Sequence, residues 1–341
     1  MLQNIWFILW GLLWAVYFLL DGFDLGLGTL MPFIAKDETE KRIVYNAIGP
    51  FWDGNEVWLI TAGGVTFAAF PGAYSVMFSS FYSALMLILF ALIVRGVSVV
   101  FRSEVDSAKW KKLWDWGLFV GSALPAFLFG VVFANIFRGI PIGENGIYQG
   151  SLLTLLNIYG LIGGALFLLL FLVHGAVWLA VKSDGELNDR AVSTARKLWV
   201  ALLIAAVVFF IASAISTNLY KNYLEHPVLF AIPLIAVVAL LLSRYFLSKG
   251  KAWSAWAMSG LTIVFATFFG VVGLYPNMLP SSIDPAFSVT IFNSASSPKT
   301  LKIMLAVALT FVPIVIAYQA WVYNLFKDKV TKEDLAHGEG Y

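Results

Sequence analysis

Nine largely apolar stretches of 19–30 residues follow one another along this 341-residue chain, separated by short polar breaks. They run roughly over residues 5–34, 51–70, 74–101, 114–137, 152–181, 198–219, 228–246, 253–275 and 301–326. A helix needs about 20 apolar residues to cross a bilayer. The spacing therefore predicts an all-α integral membrane protein, a single polytopic membrane domain over 1–341 with about nine transmembrane helices. Composition agrees: 60% of residues are hydrophobic and 12% charged, where soluble domains carry about 25% charge. The first stretch lacks a basic start and a small-residue cleavage site, so it reads as a retained span.

Loop cations orient the spans. With the N-terminus outside, seventeen of the 22 Lys and Arg residues fall on the cytoplasmic side, among them Lys36, Lys41, Arg102, Lys112, Lys182, Arg190, Arg244 and Lys327. Four, namely Arg138, Lys221, Lys299 and Lys302, fall outside, and Arg95 lies within a span. The positive-inside rule favours this arrangement, which puts the C-terminal tail in the cytoplasm.

Acids then stand out against the oily background. Asp21 and Asp24 lie in the first span, and Asp53 and Glu56 open the second. A carboxylate at the centre of a membrane helix costs about 2.5–3.5 kcal/mol, and such residues read as functional by default. Asp21 and Asp24, three apart, share a helical face. Two acids that close in a low-dielectric site do not both ionise easily, and a carboxyl that keeps its proton near neutral pH can pass it on. The bland reading is a protonated pair that hydrogen-bonds a neighbouring helix. Asp53, behind Gly49-Pro50, serves equally as a helix-start carboxylate. Arg95 is a counter-ion for Glu56 or an aspartate, or simply a packing salt bridge. The Gly22-x-x-x-Gly26 spacing reads as close helix packing. On the predicted topology Asp21, Asp24, Asp53, Glu56, Arg95 and His174 all occupy the cytoplasmic half, which suits a proton route from that side.

What is scarce also constrains the chemistry. The chain has no Cys, which excludes disulfides, Fe–S clusters, thiolate zinc sites and thioether haem attachment. Of three histidines only His174 lies in a span, and it reads as a packing residue rather than a ligand. No metal cluster, catalytic triad or nucleotide-binding loop is evident.

Several blocks make the chain recognisable: Asp21-Gly-Phe-Asp-Leu-Gly26, Gly49-Pro-Phe-Trp-Asp-Gly-Asn-Glu-Val-Trp58, Phe67-Ala-Ala-Phe-Pro71, Trp114-Asp-Trp116, Tyr275-Pro-Asn277 and Thr331-Lys-Glu-Asp-Leu335. Across nearly its whole length it resembles subunit II of the cytochrome bd-type quinol oxidases. That resemblance implies two four-helix bundles plus one C-terminal helix, in a bacterial or archaeal cell membrane. It implies a heterodimer with a haem-bearing subunit I, which holds two b-type haems and one d-type haem, and sometimes small single-span accessory subunits. The complex would oxidise quinol and reduce dioxygen to water, drawing protons from the cytoplasm and generating proton motive force. This chain would carry no haem or metal and would supply a proton path and a scaffold. The family's acidic positions correspond to Asp21, Asp24 and Asp53, while Glu56 and His174 fall where an amide also occurs. Some members bind a quinone in subunit II, and no residue here marks such a site. Two other readings stand beside this one: a proton-coupled secondary transporter, and a purely structural partner subunit. Against the transporter, the acids sit in one half of the membrane rather than at its midplane, and no paired broken helices stand out.

Overall fold

The computed structural model describes residues 1–331, so the tail from Lys332 to Tyr341, including His337, lies outside the described residues. Six helices make the first part: α1 (Leu2–Ile34), α2 (Glu38–Ile48), α3 (Trp52–Ala69), α4 (Pro71–Ser80), α5 (Tyr82–Phe101) and α6 (Ala108–Arg138). The second part holds α7 (Leu152–Leu155), α8 (Ile158–Lys182), α9 (Gly185–Ser216), α10 (Tyr220–Glu225), α11 (Ala231–Ser248) and α12 (Ala252–Leu274). A two-stranded antiparallel ribbon, β1 (Asn277–Leu279) with β2 (Val289–Thr290), precedes the last helix, α13 (Pro298–Leu325).

The long helices sort into two groups of four. In the first, α1 packs on α3 and α6, and α5 packs on α6; in the second, α8 packs on α9 and α12, and α11 on α12. The groups meet where α1 and α6 face α8 and α12. That seam needs small residues. A Cβ on Gly26 would sit 1.8 Å from the Phe171 carbonyl oxygen, and one on Gly175 would sit 2.4 Å from the Leu27 nitrogen. In lipid, where helix association depends on close packing, glycines at a crossing let two backbones touch.

Among the described residues eight helices are long and apolar enough to cross a membrane: α1, α5, α6, α8, α9, α11 with its preceding turn, α12 and α13. Helix α3 has 18 residues, but Asp53, Asn55 and Glu56 in its first turns dilute its apolar character. The stretch expected as one helix over 74–101 is two. Pro71 opens α4 directly behind α3, and the Gly72 N–H donates to the Ser294 carbonyl at 3.2 Å. A one-residue break at the buried Phe81, across which the backbone hydrogen bonds to Met77 and from Leu85 continue, separates α4 from α5, which packs on α6. Helix α2 lies in a segment read as a loop. The Asp37 carboxylate accepts from the Glu40 N–H at 2.9 Å as its N-cap, its first turn is acidic as the helix dipole favours, and Ile43, Val44, Ala47 and Ile48 are buried.

Ion pairs and caps gather most of the cationic loops at one end of the molecule. Arg190 meets Glu40, Arg102 meets Glu38, Lys329 meets Asp184, and Arg244 donates to the Arg196 carbonyl. This is the basic end.

Candidate functional site: a buried acid–arginine cluster

Helices α1, α3 and α5 bring four sequence-predicted residues together. Arg95 on α5 is fully buried, and its Nη1 donates to Asp21 Oδ1 at 2.7 Å while Nη2 donates to Glu56 Oε2 at 3.2 Å. The close approach of α5 and α6 fixes the arginine, since a Cβ on Gly121 would lie 2.7 Å from the Arg95 nitrogen. Asp24, one turn along α1 and also fully buried, accepts from Asn55 Nδ2 at 2.8 Å through Oδ2. The other oxygens, Asp21 Oδ2 and Asp24 Oδ1, find no hydrogen-bond partner among the described residues. Buried Tyr17 stands beside Asp21.

One guanidinium cannot neutralise three carboxyls, and buried charge is costly unless paired. The cluster thus gathers more carboxyls than its one cation can pair, and two of their oxygens stay unengaged among the described residues. Asp53 does not join the bonds. It is exposed at the start of α3 and accepts from the Gly54 N–H at 2.7 Å, near enough to Glu56 to repel it.

Three further residues belong to the site and carried no signal in the sequence. Asn55 is completely buried between α1 and α13, and from α13 Gln319 Nε2 and Tyr323 OH both donate to its Oδ1, at 3.1 and 2.9 Å. Nearer the basic end a second network surrounds Arg102. Its Nη1 and Nη2 donate to the two Glu38 oxygens at 2.9 Å each, its Nε to Asp115 Oδ1 at 2.7 Å, and Lys41 Nζ donates to Asp115 Oδ2 at 2.7 Å. Arg102 also lies 4.8 Å over the Tyr45 ring. Burial and the adjacent Asp115 push the Tyr45 phenol well above its usual range. Arg102, read as a loop cation, is in fact buried.

The family that this geometry belongs to is decided by comparison. Residues 2–326 match the cytochrome bd terminal oxidase subunit II family. The chain belongs to that family. Its likeness to subunit II sequences runs end to end: it is 36% identical to the cytochrome bd ubiquinol oxidase subunit 2 of Bacillus subtilis (strain 168), across 98% of each chain. It is 35% identical to the cytochrome bd-I ubiquinol oxidase subunit 2 of Escherichia coli (strain K12), over 98% of this chain and 96% of that one. The fold also matches a chain of the bd oxidase from Geobacillus thermodenitrificans, with a TM-score of 0.79 at 15% identity, covering 95% of this chain and 98% of the other.

A bd oxidase is a cytochrome complex, so haem is present in it and subunit II has a partner subunit. His174 does not fit a haem ligand. Its Nε2 donates to the Leu19 carbonyl at 3.0 Å, its Nδ1 lies 2.7 Å from Ser259 Oγ, and its ring stacks 5.5 Å from Trp256. Both nitrogens are already engaged within the fold, as the sequence reading of a packing residue expects.

Proposed function

We propose that this subunit of a bd-type quinol oxidase complex carries protons through Asp24 and the Asp21–Arg95–Glu56 cluster from the cytoplasm toward a haem-bearing subunit I, and braces that partner. The observation that carries the reading is the cluster itself: three carboxyls around one buried guanidinium, with free carboxyl oxygens on Asp21 and Asp24. The basic end is the cytoplasmic one on the positive-inside rule, with α3 counted as the ninth span. The acids belong to that half, Glu56 is only 22% exposed and Asp53 opens the same helix, so a proton entering from the cytoplasm meets them first. The haems, two b-type and one d-type, belong to the partner, where quinol is oxidised and dioxygen reduced to water. Asp53 serves at the mouth of the route, and in the first turn of α3 it complements the helix dipole.

Asp24→Asn tests this, because it keeps shape and removes the ionisable group. In an assembled complex with normal haem content, oxygen-coupled proton uptake slows roughly a hundredfold or more, the scale expected when a positioned acid–base group is lost. Unchanged uptake leaves the chain a scaffold and refutes the proton role.

A further inference from the structure

Helix α13 is lightly held. Leu301 is its single buried residue, and in lipid its exposed apolar surface gives no drive to pack on neighbouring helices. Its polar side chains converge on one point. Gln319 and Tyr323 are one turn apart on one face, and both donate to Asn55 Oδ1. Trp58 Nε1 donates to Gln319 Oε1 at 2.7 Å, which fixes the glutamine so that its NH2 faces Asn55. The Tyr323 ring is wedged 4.6 Å from Phe51 and 6.3 Å from Trp256. Lys182, at the end of α8, donates to the Phe326 and Asp328 carbonyls and ties down the end of the helix.

With its oxygen taken twice, Asn55 must present its NH2 on the other side, where it donates to Asp24 Oδ2 at 2.8 Å and to the Leu20 carbonyl at 3.1 Å. An N–H serves an ionised carboxylate, whereas an amide oxygen would serve the protonated acid. The groups acting on Asp24 are thus Asn55 from α3, Asp21 on its own helix, Arg95 from α5 and Glu56 from α3, with Tyr323 from α13 behind Asn55.

We propose that Gln319 and Tyr323 are positioning residues for Asp24, holding the Asn55 amide in the one orientation that offers an N–H to the carboxyl and so setting how readily Asp24 releases and regains its proton. Neither touches Asp24. The inference rests on the reading of Asp24 as a proton carrier, and it makes α13 the helix that tunes the relay. Without these donors only the Leu20 carbonyl, at 3.1 Å from Asn55 Nδ2, still opposes a rotation that would offer the amide oxygen to a protonated Asp24.

The test uses the whole complex and two readouts: redox-induced infrared difference spectra and oxygen-coupled proton uptake. The carboxyl band that disappears in Asp24→Asn reports Asp24. Tyr323→Phe, which removes one oxygen and keeps the ring, is expected to shift that band and slow uptake about two- to tenfold, the scale of one hydrogen bond, with haem content unchanged. Gln319→Met is the second variant and is expected to act in the same direction. If Asp24→Asn slows uptake but the band and rate are unchanged in both α13 variants, the positioning role falls and the relay stands. Slower uptake with an unmoved band makes the contacts merely structural and overturns the inference, as does failure of both variants to assemble. If Asp24→Asn removes no band and leaves uptake unchanged, the relay reading falls and takes this inference with it.

Discussion

Replacing Arg95 by leucine tests whether the cluster is an ion pair held against the cost of burial. Arg95 Nη1 lies 2.7 Å from Asp21 Oδ1, with the two side chains 1% and 0% exposed, so solvent screens this arm very little. The second arm, to Glu56 at 3.2 Å, has a partner that is 22% exposed and counts for less. Removing one member of a buried pair costs about 3–5 kcal/mol, because the remaining charge is left without compensation. Asp21 bears most of that, since its other oxygen has no partner among the described residues. Unfolding of a multi-subunit membrane complex is best followed as a rate. If the loss falls on the unfolding barrier, Arg95→Leu shortens the lifetime of the purified complex at a fixed temperature by on the order of a hundredfold or more. Haem absorbance provides the signal. The double variant Asp21→Asn/Arg95→Leu removes both charges and should recover part of the loss, with a coupling of about 1–3 kcal/mol in the double-mutant cycle. A single variant that loses less than about 1 kcal/mol, the scale of an exposed pair, refutes the argument. So does a double variant no more stable than Arg95→Leu alone.

Other perturbations probe the frame around the cluster. Gly26→Val forces a side chain into the Phe171 carbonyl, 1.8 Å from where its Cβ would sit, so α1 and α8 separate and the complex should fail to accumulate in membranes. Normal yield would refute that close contact. Lys182→Met leaves the Phe326 and Asp328 carbonyls without their ammonium donor. Charge-assisted hydrogen bonds are worth roughly 1.5–3 kcal/mol, so amide exchange over residues 322–330 should accelerate on the order of tenfold or more, against no change if the tie is idle. Asp184, which caps α9, is held below the usual carboxylate range by the Gly185 N–H and then by Lys329. A lowered folded value means the cap's contribution is complete above the ordinary carboxylate pKa and is lost as pH falls through the depressed one. Protection of the first α9 amides should therefore persist to more acid pH than for an ordinary aspartate, and Lys329→Ala should move its loss upward in pH. The same midpoint in both proteins would contradict this.

Much of the frame was readable from apolar length alone, because a bilayer admits few ways to place 20 apolar residues. Asp21, Asp24, Glu56 and Arg95 were readable for the converse reason, since charge within such a stretch needs a partner. Three things were hidden, each for a physical reason. Helix α2 is short and charged, and only its N-cap Asp37 and the buried face from Ile43 to Ile48 betray it. The break at Phe81 carries neither glycine nor proline, so no residue type announces it. The roles of Asn55, Gln319 and Tyr323 depend on contacts between residues more than 260 positions apart, and an amide in a helix has no periodic signature. Arg102 and Lys182 were counted with the loop cations, yet both are 2% exposed. The positive-inside rule uses where a cation lies in the sequence and is blind to whether the fold later buries it.

The outer faces of the molecule are not alike, and the difference bears on what each face can meet in a membrane. On α9 the exposed side chains Ile204, Val207, Ile211 and Ile215, and on α11 Leu234, Val238 and Leu241, are all apolar, as suits contact with acyl chains. On α3 the outer face runs from exposed Asp53 and Gly54 past Val57 and Ile60 to Gly64 and Phe67. A Cβ on Gly54 or Gly64 would meet nothing within 4 Å. A carboxylate facing hydrocarbon costs about 2.5–3.5 kcal/mol near the membrane centre, and glycines suit a helix that is approached closely. Lipid therefore covers the α9–α11 side at little cost, whereas Asp53 and the edge of Glu56 call for protein or water.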